Sequence, residues 1–416
     1  MQPFINTGAK SMAAYASKAI SGRAKSDPTI ANLAIGEPEF GPPEHLADTI
    51  RAHHLRYESF KPAVKAYEQS RGLRELRCAI SQWYLTRYNC KVDPDTELLI
   101  THGGVEAIAL AILCSSDPGD AIFTTDPTYM LYERSALALG RAAVPLVRRP
   151  DSEYLGMLDD ANGEPSALAR ARALIVNSPE NPTGYVIGKE EWQALARFAD
   201  AHNLWIVHDE VYDTMAYARP HHPALSIEGL RERAILVNSF SKKFGVPGLR
   251  IGWLCAKPEL ISLAAKLHDY LYLGVNILFE HIALTLLADD LAAPWLETQA
   301  SMLRRRLDAI TQSLTSDEGF SWTRRPLGGM FAFPDVTGLA DMIPSSCLEQ
   351  HCRPANAVAE FLLAEAKVAV IPGSIYGSQG SNCIRLVLCC DDATLESATK
   401  RLKAAGQLSS FTSRAT

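Results

Sequence analysis

The stretch NSFSKKFGVPGLRIG, residues 238–252, sets Lys242 and Lys243 side by side, with Ser239 and Ser241 before them and Arg250 after. Hydroxyls and a guanidinium are the usual partners of a phosphate. Gly245, Gly248 and Gly252 permit a tight loop around such a group. A lysine inside that cradle would be desolvated and close to another cation. Both effects favour the neutral, nucleophilic amine. Adjacent lysines are otherwise an ordinary solvated charge pair, so the local residues leave open whether either is a nucleophile, and which.

Three further clusters carry polar groups in apolar settings. VHDEVY puts Asp209 at the end of a mostly apolar run, with Tyr212 three residues on. A carboxylate there is costly unless paired with an arginine, a metal or a protonated ring nitrogen. SPENPTG offers the Asn181 amide, or simply a Pro–Gly turn. THGGVEAI places two glycines where backbone N–H groups could approach an anion at a helix start. It matches neither the GxGxxG fingerprint nor a Walker loop, and a structural turn reads equally well. CLEQHC (Cys347, His351, Cys352) has metal-ligand residue types but lacks a second ligand pair, so no metal is expected. The pairs His53–His54 and His221–His222 read as loop or surface histidines.

The elements that must position these groups alternate. ELLIT, DAIFTTD, ARALIVN, LWIVHD and RAILVNS are short apolar runs, separated by helical patterns such as KEEWQALARFADAHN. Strands alternating with helices predict an α/β fold, a mostly parallel sheet covered on both faces. Ligands of such sheets sit beyond the carboxyl ends of the strands, where most of these polar clusters fall. After about residue 285 the texture changes to a long helical stretch, roughly 286–316, and then a smaller α+β pattern. The expected division is a large domain over 51–285 and a discontinuous small domain of 1–50 with 286–416.

Bulk composition narrows the function. The 416 residues are 47% hydrophobic and 21% charged, with a net charge of −6. That is the balance of a globular chain with no basic excess for nucleic acid. No run approaches the roughly 18 apolar residues of a membrane span, and the first twenty residues hold no continuous apolar core of a secretion signal. Nine cysteines without framework spacing fit a reducing cytoplasm.

Together and in order, these pieces resemble the fold-type I pyridoxal-phosphate enzymes, specifically the class I/II aminotransferases, over nearly the whole chain. The defining pattern is S-x-S-K-x-x-G-x-x-G-x-R-x-G, matched from Ser239 to Gly252. It sets the register of the two lysines. With Lys242 as the Schiff-base residue, a serine lies three before and an arginine eight after. With Lys243 those places hold Phe240 and Ile251, which cannot bind phosphate. Lys243 then falls to a supporting or surface position.

The resemblance implies the remaining roles. Asp209 would pair with the pyridinium nitrogen, and Asn181 and Tyr212 would bond the ring's phenolic oxygen. Tyr129 would stack on the ring. Backbone N–H groups of Gly104 and Val105 would join Ser239, Ser241 and Arg250 around the phosphate. Tyr67, five before Gly72, would reach the phosphate of a partner subunit in a homodimer with shared sites. Arg385, in NCIRLVL, would grip the substrate α-carboxylate, with the backbone of Gly36 beside it. The implied reaction moves an amino group between an L-amino acid and a 2-oxo acid. Met130 and Met330 depart from the family pattern, at places that touch substrate shape more than cofactor chemistry.

Two other readings share parts of this pattern. β- or γ-elimination and replacement enzymes, such as the relatives that make 1-aminocyclopropane-1-carboxylate, share these cofactor motifs. A transcription regulator with an aminotransferase-like domain needs a DNA reader of roughly sixty residues, more than the stretch before Gly36 can hold.

Overall fold

The structure is a computed structural model. It describes Met12 and residues 15–67, 69–163, 165–349 and 353–412. His351 and Cys352, two of the three metal-type residues noted above, lie outside these. No helix among the described residues is long and apolar enough to cross a membrane.

Twelve strands are assigned in the described residues. β1 (Ala31–Asn32) lies apart. The next seven build the main sheet: β2 (Leu98–Thr101), β3 (Ala121–Asp126), β4 (Ala142–Val147), β5 (Ala171–Asn177), β6 (Trp205–Asp209), β7 (Ala234–Ser239) and β8 (Gly252–Cys255). Their order is β2-β8-β7-β6-β5-β3-β4. The pairs from β7 to β4 are all parallel, whereas β8 runs antiparallel to both of its neighbours.

Both faces of this sheet are covered, and the side-chain period of two shows how. On β5, Leu174 and Val176 enter one core while Ala173 and Ile175 enter the other. β7 repeats this, with Leu236 on the first side and Ile235 and Val237 on the second. Helices Arg74–Tyr88 and Lys189–Ala201 close the first face through Ile80, Tyr84, Trp192 and Leu195. Helices Gly103–Ser115 and Pro258–Tyr272 close the second through Ile108, Ala111, Ile261 and Ala264. Strands buried on both faces must be apolar throughout, which is why these runs show no polar alternation.

A separate core gathers Ala31 and Leu33 with Leu307, Val358, Leu362, Ala398 and Leu402. Here β1 pairs in parallel with β10 (Val368–Ala369). β11 (Ile371–Pro372), β12 (Ile384–Val387) and β9 (Phe331–Ala332) form an antiparallel sheet in the order β11-β12-β9. The long helix expected near 286–316 is Ala292–Ser313, preceded by a separate helix, Ile277–Ala288. Between them Asp289 Oδ1 accepts the N–H of Leu291 at 2.9 Å, a local turn that competes with the helical bond.

Candidate active site

Thr101, Asp126, Asn177, Asp209 and Ser239 are the last residues of β2, β3, β5, β6 and β7. Because these strands run the same way, their carboxyl ends share one edge of the sheet. The reversed β8 begins where its neighbours finish, so Gly252 stands opposite both Thr101 and Ser239. A Cβ on Gly252 would lie 2.6 Å from the carbonyl carbon of Gly103 and 2.8 Å from the carbonyl oxygen of Asn238. Only glycine lets the three backbones meet.

That meeting point builds an anion cradle. Ser239 caps the short helix Phe240–Lys243, its Oγ accepting the Ser241 N–H at 3.1 Å. The two serine hydroxyls are 2.9 Å apart. Arg250 adopts a left-handed backbone (φ 55°) and leans on the start of helix Gly103–Ser115. A Cβ on Gly103 (φ +72°) would stand 2.8 Å from Arg250 Nη2. Two hydroxyls, a guanidinium and the free N–H groups of a helix's first turn converge there, from Gly104 and Val105 onward.

Asp209 is buried at the end of β6. Its Oδ2 accepts the Tyr132 hydroxyl at 2.7 Å and its Oδ1 the Val211 N–H at 3.2 Å. Burial pushes its carboxyl up to about 6, against the pull of these two donors. Lys242 is half-buried and donates through Nζ to the carbonyl of Gly36 at 2.7 Å. Desolvation pushes its amine below the usual lysine range.

A relay of amides joins Asp209 to Arg385. Asn177 Nδ2 donates to the Asp209 carbonyl at 2.8 Å, and Asn177 Oδ1 accepts the Asn181 N–H at 2.7 Å. Asn181 Oδ1 accepts from Arg385 Nη1 at 3.1 Å, while Arg385 Nη2 donates to the carbonyl of Ala34 at 2.8 Å. Arg385 lies on β12, its guanidinium 4.8 Å from the Phe331 ring and 5.2 Å from that of Tyr376. Its Nε is buried without a hydrogen-bond partner among the described residues. Tyr212 is buried, with its ring edge-on to Phe331. Tyr129 meets Tyr132 edge-on, and its hydroxyl is 2.6 Å from that of Tyr15.

Of the residues expected in the site, Tyr67 stands apart in the single chain, 79% exposed, and Val105 is 47% exposed, its expected role lying with its backbone N–H. Of the two positions left open for Lys243, supporting or surface, it takes the first: it is fully enclosed, 3.0 Å from Asp213 Oδ1 and 2.8 Å from Asn238 Oδ1. Trp253 and Trp83 flank its ammonium group. His221 is likewise buried rather than exposed, 2.9 Å from Glu210 Oε2.

Several groups escaped sequence reasoning. Tyr132 sits three residues after Tyr129, a spacing that puts both near one helix face, and this signal was available. The buried Arg148–Glu180 pair, extended by Glu153 and Arg324, had none. It draws four residues from distant segments to brace the loop before Asn181.

The donor set fits pyridoxal phosphate. Two hydroxyls, a guanidinium and helix-start N–H groups are the donor types a phosphate takes. A buried carboxylate held only by neutral donors suits a cationic ring nitrogen. A desolvated amine lies close to both, on the residue that follows Ser241.

Comparison with known proteins agrees. The profile of aminotransferase class I and II matches residues 28–402. A probable N-succinyldiaminopimelate aminotransferase of Mycobacterium tuberculosis is 32% identical over 393 residues, covering 89% of this chain and 91% of that protein. An aspartate aminotransferase of Pyrococcus abyssi is 28% identical, covering 90% and 91%. Among solved structures, the aspartate aminotransferase of Thermus thermophilus with maleate superposes at a TM-score of 0.84, with 27% identity, over 97% of this chain and 100% of that one. The chain therefore belongs to the class I and II aminotransferases, pyridoxal-phosphate-dependent enzymes that move an amino group between an amino acid and a 2-oxo acid.

Proposed function

We propose that Lys242 is the residue that bonds the cofactor's aldehyde carbon and then shuttles the substrate proton. The observation that carries this is its half-buried, desolvated amine, which follows Ser241 in the chain and reaches the Gly36 carbonyl at 2.7 Å. When bound, pyridoxal phosphate supplies an electron-withdrawing ring that stabilises negative charge at the substrate Cα. Asp209 holds the proton on the ring nitrogen. Tyr212 and Asn181 serve the phenolic oxygen, and Tyr129 covers the ring face. Gly104, Val105, Ser239, Ser241 and Arg250 hold the phosphate.

Arg385 grips the substrate α-carboxylate, because its planar fork matches two carboxylate oxygens. The carbonyl of Gly36 lies at that edge. Fixing the carboxylate at Arg385 orients the Cα–H bond toward Lys242, and this positioning is most of the catalysis. Lys242, once displaced by the substrate amine, would take the Cα proton at Nζ and give it back at the cofactor's former aldehyde carbon.

The protein works as a homodimer. Tyr57, Tyr67, Tyr270, Leu271 and Leu273 are exposed in the single chain, large apolar groups that an interface would cover. Tyr67 serves the partner's phosphate across that interface. The cysteines among the described residues are free, which supports a cytoplasmic setting.

The test is a half-reaction. An accepted amino acid, supplied alone, should bleach the visible cofactor absorbance and release one equivalent of its 2-oxo acid per site. Continuous release of ammonia and 2-oxo acid would point to elimination instead.

A further inference from the structure

Behind the cofactor pocket lies a second polar layer that the reaction above does not use, buried except for the partly exposed Tyr88. It contains Lys243, Asp213, Asn238, Glu210, His221, Tyr84 and Tyr88. Lys243 pairs with Asp213 at 3.0 Å and donates to Asn238 Oδ1 at 2.8 Å. That same Oδ1 accepts the backbone N–H of Ser239 at 2.7 Å, while Asn238 Nδ2 donates to Glu210 Oε1 at 3.2 Å. Tyr84 also donates to Glu210 Oε1, and His221 Nε2 is 2.9 Å from Glu210 Oε2. Tyr88 donates to Asp213 Oδ2 at 3.0 Å.

The layer is keyed to the site by chain adjacency. Lys243 follows Lys242, Asn238 precedes Ser239, and Glu210 follows Asp209. In each pair one residue belongs to the cofactor pocket and its neighbour turns into the layer behind. The three pairs come from different elements: the end of β6, the end of β7, and the helix Phe240–Lys243. Lys243 is the group that reaches from the lysine turn to both strand ends, through Asp213 in the turn after β6 and Asn238 on β7.

We propose that Lys243 is a positioning residue for amino transfer: through Asp213 and Asn238 it locks the turn carrying Lys242 to the strand ends carrying Asp209 and Ser239. The inference rests on the site assignment made above. Its physical basis is that a buried ion pair stabilises little beyond what apolar residues of the same volume would. Geometry at the reacting amine, in contrast, is demanding, since a displacement of about 1 Å can cost about a hundredfold in rate.

The test uses the holoenzyme, with Lys243→Met and the double variant Lys243→Met/Asp213→Asn. Melting temperature, pyridoxal phosphate retention by equilibrium dialysis, and kcat and KM for one accepted amino acid are measured. Lys243→Met should lower kcat by about tenfold or more and weaken cofactor retention, with KM moving by less than about twofold, because Arg385 stands on another element. The double variant, which removes both buried charges, should recover melting temperature but neither kcat nor retention. Recovery of kcat together with melting temperature would show a merely structural pair and overturn the proposal, as would wild-type kcat and retention in Lys243→Met. Should Lys243→Met fail to fold, Asp213→Asn alone is expected to show the same split between kcat and KM, and unchanged kcat there overturns it too. Borohydride fixation in the wild type separates the two levels: label absent from Lys242 removes the site assignment, whereas label on Lys242 with unaltered variants removes only the role of Lys243.

Discussion

The Tyr132 hydroxyl donates to Oδ2 of Asp209 at 2.7 Å. This bond favours the ionised carboxylate, opposing the burial that pushes it up to about 6. The sign follows. As pH falls through about 6, Asp209 takes up a proton and loses the charge that would hold a protonated ring nitrogen. Cofactor retention should therefore weaken over that range. Tyr132→Phe removes a donor to the charged form, so the step should move to higher pH. Equilibrium dialysis of pyridoxal phosphate across about pH 5 to 8 reads both effects. A step in the same place in both proteins would disconnect Tyr132 from the charge of Asp209. Asp209→Ala should retain cofactor poorly at every pH and lose nearly all turnover.

Lys242→Ala should lose the visible cofactor absorbance and the activity together. Peptide mapping after borohydride treatment of the wild type should find the label on Lys242. Lys243→Ala differs in kind, since it strands the buried Asp213 without its cation, at a cost of about 3–5 kcal/mol. Its first symptom should be a lowered melting temperature, read by circular dichroism. A melting curve identical to wild type would mean that Asp213 finds another partner.

Arg385→Lys keeps the charge but gives up the fork and the bonds to Asn181 and Ala34. The Michaelis constant for amino acid substrates should rise by about tenfold or more, about 1.4 kcal/mol for each tenfold. Cofactor dissociation, measured without substrate, should stay put. If every accepted amino acid keeps its Michaelis constant, the carboxylate is held elsewhere.

Tyr67 predicts a link between cofactor and assembly. A ligand held across a two-fold interface tightens it. Sedimentation should show that the apo form dissociates at a lower dilution than the holo form, and Tyr67→Phe should retain cofactor less well. A fully active holo monomer at assay concentration would end the shared-site idea.

How much of this was legible in the sequence differs by residue. The strands ending at Thr101, Asn177, Asp209 and Ser239 were readable because each is a short apolar run closed by a polar residue. Lys242 was readable from its register with Ser239 and Arg250. The burial of Lys243 was not: its partners Asp213 and Asn238 sit on two other segments, and a lysine carries no local mark of enclosure. The same holds for Arg148 and Glu180, which are 32 residues apart.

The reversed direction of β8 bears on how the molecule comes to be folded. β7, the lysine turn and β8 form one antiparallel excursion, with Ser239 opposite Gly252 and Val237 opposite Leu254. Closing so short a loop costs little chain entropy, and that cost grows only as the logarithm of loop length. Asp209 and Arg385, by contrast, come from distant parts of the chain. The turn that carries Ser239, Ser241 and Arg250 is therefore the piece of the candidate site built from neighbouring residues, to which the helix start at Gly103 must be brought from afar. A chain opened at the exposed Leu291 and rejoined at its ends would keep this turn intact, whereas a break between Ser239 and Gly252 would turn its local closure into a long-range one and slow folding.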